Sequence, residues 1–431
     1  MKILDFESGS FWKALDKATQ SLSQSPEVAD VVSSVIANIG KRGDKALLEY
    51  TRNFDLARLS TKTLKVSVDE LENALKNIPA ADRREIKNAI ASVNFFHKHT
   101  APKNWRARNP HGAIVGENFY PIERVGLYIP GGQVPLVSSV IMTATIAKLA
   151  GCPQICVCTP PNKYGEINNH LLAALALSGV TEIYKAGGAQ AIAAMALGTN
   201  TIKRVDKIFG PGNAFVIEAK RQLFGKVGID LLPGPSEVMI IADDKANAEF
   251  IAADLLSQAE HGSGKEKIYL ACTSKIIVDK IYAELKTQSE NLSRAQKLAK
   301  IVEQNCYVIL VPNLDAATET ANFIAPEHLE LHVGAKFLKR LSEKITTAGA
   351  ILMGENTPTV LGDFTAGPSH TLPTERTGRF SSGLQLIDFM RRSSIVQYDK
   401  DSVKKASPTV AAFARMESLD AHGNSLKIRE R

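Results

Sequence analysis

Cysteine is scarce in this chain: five in 431 residues, too few for a disulfide framework. Cys152, Cys156 and Cys158 look at first like a metal knuckle. Cys156 and Cys158, however, alternate along an apolar run and so face one side of a buried strand. No second pair stands at zinc spacing. Cys272 is also mid-strand, so no exposed, activated thiol is expected for attack on a carbonyl. The 29 glycines and 19 prolines are far below collagenous or low-complexity levels, and a hydrophobic content of 44% is too high for disorder.

Long runs of one charge are missing as well. The net charge of +7 comes from 52 Lys and Arg against 45 Asp and Glu spread along the chain, with only Arg391-Arg392 and residues 427–431 as short basic clusters. Without a groove-reading motif, nucleic acid is not an expected partner, whereas a small anionic ligand is. The opening MKILDFESGSFWKALDK lacks the apolar core of a secretory or transit leader. Residues 125–147 carry no charge and are long enough to span a membrane. Pro130, Pro135, Gly126, Gly131, Gly132, Gln133 and several hydroxyls make them read instead as strand, turn and buried helix. The expectation is a soluble, cytoplasmic protein with no membrane partner.

What is present is periodicity. Residues 26–53, 68–78 and 80–99 show apolar positions at three- and four-residue spacing and predict helices. From Arg124 onward, β-rich runs at 125–129, 155–158, 182–185 and 205–209 alternate with helical patterns at 138–149, 167–178, 189–197 and 213–224. A second series has strands at 238–242, 267–273, 307–311, 328–333 and 350–353, with helices such as 248–260 and 336–347 between them. Such alternation predicts parallel sheets covered on both faces. The expected fold class is therefore α/β, with two doubly wound, Rossmann-like parallel-sheet domains, a helical N-terminal region and a small C-terminal tail domain. The division reads as a mainly helical region at 1–123 packing with the second α/β domain, a first α/β domain of nucleotide-binding type at 124–235, a second at 236–383, and a tail at 384–431. After Gly354 periodicity fails until Leu384, which predicts a long functional loop or a linker. The tail has one helical run, at 407–416, and is too small to bury a core alone.

The chain contains no G-x-G-x-x-G, and Gly262-Ser263-Gly264-Lys265 lacks the remainder of a P-loop. Three other glycine-rich turns each follow a strand and precede a helix: Ile129-Pro130-Gly131-Gly132, Gly187-Gly188-Ala189-Gln190 and Gly210-Pro211-Gly212-Asn213. Each could be an ordinary βα turn. Together, at strand carboxyl ends and helix N-termini, they favour a dinucleotide. Gln258 and His261 stand three apart near the end of one amphipathic helix, both able to offer a lone pair to a cation. Pro326-Glu327-His328 precedes an apolar strand and pairs two bases of different pKa, suited to removing protons from a hydroxyl and from water. Asp363 and His370 lie in the aperiodic stretch, and Glu417 and His422 in the tail. Asp and His are standard zinc ligands, but their scatter leaves a metal site open rather than defined.

At these residues the chain resembles the histidinol dehydrogenase family. The stretches that carry the resemblance are VGLYIPGG, GGAQAIAAMALGT, DKIFGPGNAFVIEAKRQ, LPGPSEV, ADLLSQAEHG, APEHLEL and LGDFTAGPSHTLPT, continued by ESLDAHGNSLKIR. They cover nearly the whole chain. The resemblance implies an aldehyde-dehydrogenase-like superfamily fold and an NAD- and zinc-dependent oxidation of L-histidinol to L-histidine through L-histidinaldehyde, the last two steps of histidine biosynthesis. It implies one Zn2+ per subunit on Gln258, His261, Asp363 and His422, with His422 reaching the other subunit's site in a homodimer. Glu327 and His328 match the family's acid–base pair. Tyr128, Gln190 and Asn213 match its NAD contacts. Ser236 and Glu417 match substrate positions, joined by Gln258, His261, His328, Asp363 and His422. The pattern departs at Phe364, where Tyr is usual, and at Pro368-Ser369 before His370. The rival expectation is a related zinc- and NAD-dependent dehydrogenase of another small polar alcohol.

Overall fold

The structure is a computed structural model that describes residues 1–20, 26–131, 135–261, 264–290 and 292–430. Gly132 of the first glycine-rich turn, Gln133, Gly262, Ser263 and Arg431 fall outside these residues. The strands, in chain order, are β1 (Lys2–Asp5), β2 (Trp105–Arg108), β3 (Ile114–Pro121), β4 (Arg124–Tyr128), β5 (Gln154–Thr159), β6 (Glu182–Lys185) and β7 (Lys207–Phe209). They continue as β8 (Gly228–Ile229), β9 (Glu237–Ala242), β10 (Lys267–Cys272), β11 (Cys306–Leu310), β12 (His328–His332), β13 (Ala350–Met353) and β14 (Met390–Gln397).

Two parallel sheets carry the molecule, in the orders β6-β5-β4-β7-β8 and β1-β11-β10-β9-β12-β13. Leaving aside the edge strand β1, in both the chain starts at a central strand, winds outward to one side, then crosses to the other. That is the doubly wound arrangement, with a switch point between β4 and β7 in the first sheet and between β9 and β12 in the second. Strands β4, β9, β10 and β12 are buried along their whole length, as strands covered on both faces must be. Leu127, Val157 and Ile183 face one core, and Tyr128, Cys156, Cys158 and Tyr184 face the other. The cysteines therefore pack in a core, as their alternation predicts. Residues 125–147 fold as β4, a turn and the start of the buried Val137–Leu149 helix. Helices after strands begin at Asn168, Asn213, Asn247 and Asn313, whose side chains each accept from free N–H groups of the first turn.

The N-terminal region departs from expectation in two ways. Only residues 1–19 sit on the second sheet: β1 pairs with β11, and Phe11 and Leu15 enter its core. The helices Pro26–Arg42 and Asp44–Phe54 place Val32, Val35, Ile39 and Leu47 in the first sheet's core instead. Their narrow apolar stripes have the width of a helix that covers another domain's helices. The second departure is a small antiparallel sheet, β14-β3-β2, which ties the N-terminal region to the tail. Its strands are mostly exposed and polar, so no alternation marked them. Among the described residues no helix is long and apolar enough to cross a membrane.

Candidate active site and metal centre

The carboxyl ends of the first sheet bring together the glycine-rich turns after β4, β6 and β7. Tyr128 closes β4; its hydroxyl accepts a hydrogen bond from Gly188 N at 3.1 Å, and burial pushes the phenol upward. Gly210 has φ +112°, and a Cβ there would lie 2.1 Å from Tyr128 O, so only glycine lets the first and third turns touch. Lys220 and Asp230, both fully buried, form an ion pair beneath that turn. Lys220 Nζ donates to Gly210 O at 3.0 Å, and Gly210 N donates to Asp230 Oδ2 at 2.7 Å. Asn213 caps the following helix through Phe215 N and Val216 N, each at 3.1 Å. Gln190 lies in the first turn of the Gly188–Leu197 helix, and its buried Nε2 has no hydrogen-bond partner. Asp55, which the sequence did not single out, packs against Gly187. Burial pushes its carboxyl up to about 6, against the Gly187 N–H, and its Oδ2 is buried and unpartnered. No local motif surrounds Asp55; only the fold places it there.

The expected acid–base pair sits at the opposite kind of edge. Ser236 precedes and Glu237 begins β9, and Glu327 precedes and His328 begins β12, so these groups lie at the amino ends of the second sheet. A cleft of about 630 Å³ joins the two edges, lined by Asn213 on one side and by Ser236 and His261 on the other. Glu327 Oε2 accepts from Ser236 Oγ at 2.7 Å and from Glu237 N at 2.8 Å. Burial raises its carboxyl, opposed by the neighbouring His328 and these two donors. His328 has Nδ1 3.8 Å from Glu327 Oε2 and Nε2 3.6 Å from Asp363 Oδ1. Burial alone would lower its pKa, but the two carboxylates override that and push it up to about 9. His370 Nδ1 lies 3.9 Å from Asp363 Oδ1. It thereby joins a group that its position seven residues after Asp363 could not have established.

Three of the four expected zinc ligands belong to this same edge. The Ala248–Ala259 helix leaves the carboxyl end of β9 and runs back, so its C-terminus presents Gln258 and His261 next to β12. A helix C-terminus favours a cation. His261 Nδ1 lies 3.3 Å from Gln258 O, which as donor leaves Nε2 free. Asp363 comes from a short helix, Thr359–Phe364, inside the stretch expected to be aperiodic. Its carboxyl lies below the usual carboxylate range: burial opposes this, but His328, His370 and His261 outweigh it. Gln258 is buried with neither Oε1 nor Nε2 hydrogen-bonded. An unpartnered buried carboxamide costs about 1–3 kcal/mol, and a cation held with His261 and Asp363 would offset it. This donor set fits zinc. The tail residues are elsewhere: Glu417 and His422 are exposed and form no hydrogen bond or ion pair with these groups through their side chains. Among the described residues, the one trio of His, Cys, Asp or Glu with donor atoms within 4.8 Å is Asp254, Glu330 and His332, which lies outside the expected set.

Comparison with known proteins bears on the whole chain. A family model described as histidinol dehydrogenase matches residues 18–430. The histidinol dehydrogenase of Neisseria meningitidis serogroup A is 41% identical over 432 aligned positions, spanning 100% of both chains. That of Geobacter sulfurreducens is 44% identical over 404, covering 94% of this chain and 93% of its own. The crystal structure of histidinol dehydrogenase from Elizabethkingia anophelis superposes with a TM-score of 0.95 at 35% identity, covering 100% of this chain and 98% of that one.

Proposed function

The chain belongs to the histidinol dehydrogenase family, and from that premise we propose how it oxidises its substrate. It is an oxidoreductase of histidine biosynthesis. The proposed reaction removes four electrons from L-histidinol, through L-histidinaldehyde, to give L-histidine, with two NAD and one water consumed. The observation that supports it most is the pairing of two differently held bases, Glu327 and His328, beside Asp363 and behind Ser236, which lines a cleft whose other side carries Asn213.

Zinc, on Gln258, His261, Asp363 and His422 of the partner subunit, would hold the substrate's imidazole and amine and fix its carbinol carbon. NAD, against Tyr128, Gln190 and Asn213, would accept the hydride. The remaining steps fall to the chain's own side chains. His328, set between Glu327 and Asp363, is the base for the carbinol hydroxyl. Glu327 cannot rotate freely, because Ser236 and Glu237 N hold one oxygen; its other oxygen is the base for water attacking the aldehyde. His328, having passed the first proton to solvent, then takes the hydrate's proton as the second hydride leaves. A thioester route finds no nucleophile. Burial pushes the Cys152 and Cys272 thiols up to about 11 and the Cys306 thiol up to about 12, which leaves them un-ionised at neutral pH. Glu417, brought in by the tail, would pair with the substrate amine.

The test is a matched pair of variants. His261→Asn should lose zinc and both oxidations together. Glu327→Gln should retain zinc and the first oxidation but stall at the aldehyde. Normal aldehyde oxidation by Glu327→Gln would remove the water-activating role.

A further inference from the structure

Strand β12 presents His328, Glu330 and His332 on one face, since alternate residues of a strand point the same way. Their register partners on β9, Val238, Ile240 and Ala242, pack in the core that includes Ile251, Ala252 and Leu255 of the Ala248–Ala259 helix. Glu330 and His332 are therefore buried beneath that helix, two and four residues beyond the catalytic histidine. Glu330 Oε1 accepts from Thr359 N and from Thr359 Oγ1, both at 2.7 Å. Its Oε2 lies 3.1 Å from His332 Nε2, which in turn lies 3.6 Å from Asp254 Oδ2. Asp254 is one turn before Gln258 on the same helix face. Its carboxyl, pushed up to about 8 by burial and then by Glu330, reaches that residue through His332.

Each element of this cluster carries part of the proposed metal centre. Thr359 opens the six-residue helix that ends beside Asp363. A helix that short has no independent stability. Its N-cap is Pro358, whose side chain makes no capping bond. Glu330 supplies the missing cap from outside the helix and satisfies one of its free N–H groups. Asp254, through His332, fastens the same carboxylate to the helix that presents Gln258 and His261.

We infer that Glu330 is a positioning residue for the metal centre: through Thr359 it sets where Asp363 stands relative to Gln258 and His261. The inference rests on the zinc reading above. Outer partners that orient a ligand typically change metal affinity by about 10–100-fold, and Glu330 should act on that scale without touching the metal.

The test is zinc affinity of the full-length protein, measured by competition with a chromogenic chelator and accompanied by thermal melting of the zinc-free form. Glu330→Ala should bind zinc about 10–100-fold more weakly than wild type, with KM for NAD unchanged. Glu330→Gln, whose carboxamide oxygen still accepts from Thr359, should restore affinity to near wild type, whereas Glu330→Met, which fills similar space but accepts no hydrogen bond, should not; rescue by both would mean that packing alone matters. Thr359→Val, which deletes only the hydroxyl donor, should fall between them and serves if Glu330→Ala does not fold. Wild-type zinc affinity in Glu330→Ala or Thr359→Val, whatever the melting temperature, would overturn the inference. So would two zinc ions per wild-type chain with one lost in Glu330→Ala, which would place a metal in the cluster itself. A wild-type chain that binds no zinc would fail at the earlier step and overturn the zinc reading.

Discussion

Glu327 and Glu237 are neighbours across one hydrogen bond, yet they do different work. Glu327 borders the cleft residues Ser236 and His261, whereas Glu237 is buried behind it. Burial, outweighing nearby Lys267, pushes Glu237 up to about 8 from an ordinary 4.5. Between those two values the unfolded carboxyl has lost its proton and the folded one keeps it. The native state then binds the extra proton, and stability falls as pH rises across that window. Glu237→Gln removes this titration, so its melting temperature should decline less steeply than wild type between about pH 5 and 8. An unchanged slope would count against the assignment. For Glu327→Gln the expected readout is kinetic: about one NADH per histidinol on the time scale of the first oxidation, with aldehyde turnover reduced by roughly 10²–10⁴-fold, the usual contribution of a positioned base. Sequence alone exposed Glu327, His328, Gln258 and His261 as chemistry-bearing pairs, because neighbours in sequence share a turn or a helix face. Asp55 and His370 stood outside any such pairing. Their roles depend on contacts with residues 187 and 363, which only folding brings near.

At the scale of elements, hydrophobic periodicity marked the inner strands of the two parallel sheets, which are buried and nearly all apolar, but passed over the edge strands β1 and β8 and the Phe11–Thr19 helix. It failed at Thr359–Phe364, which spans under two turns, includes Gly362 and is held by Glu330 rather than by an apolar stripe. It also failed at β2 and β14, whose side chains mostly face solvent, and at β3, which is half-buried along most of its length. Periodicity put Glu327 and His328 at the start of a strand, but it did not show that Gln258 and His261 would stand beside them. That follows from helices running antiparallel to their strands, which returns Gln258 and His261 to that edge. The turn at Gly210 gives a prediction of its own. Lys220→Met would leave Asp230 charged and buried without its partner, a loss of about 3–5 kcal/mol, and would release the Gly210 carbonyl. KM for NAD should rise with little change in KM for histidinol. An unaltered KM for NAD in a folded variant would mean that the turn holds its shape without the ion pair.

For the whole molecule, the tail is the element least satisfied by its own chain. The Asp420–Lys427 helix buries no residue, and Phe413, Met416, Leu419 and Ile428 are exposed along it and the helix before it. Apolar side chains set close together on a surface mark an interaction face, and we propose a second copy of this chain as its occupant, which would also deliver His422 to the proposed metal centre. Mixing makes this testable. Glu327→Gln and His422→Asn homodimers should each be inactive in full oxidation. Subunits exchanged between them at equal amounts should recover about a quarter of wild-type activity, because half the dimers are mixed and each mixed dimer regains one intact site. No recovery after demonstrated exchange would place His422 in its own subunit's site or outside the chemistry.

The central claim is a four-electron, metal-dependent oxidation at one site. Its most direct measurement is the NADH formed from a limiting amount of L-histidinol by the wild-type protein, before and after chelation. Two NADH per histidinol, abolished by the chelator and restored by added zinc, is the predicted result. A single NADH per histidinol, or a yield of two that survives removal of the metal, would contradict it.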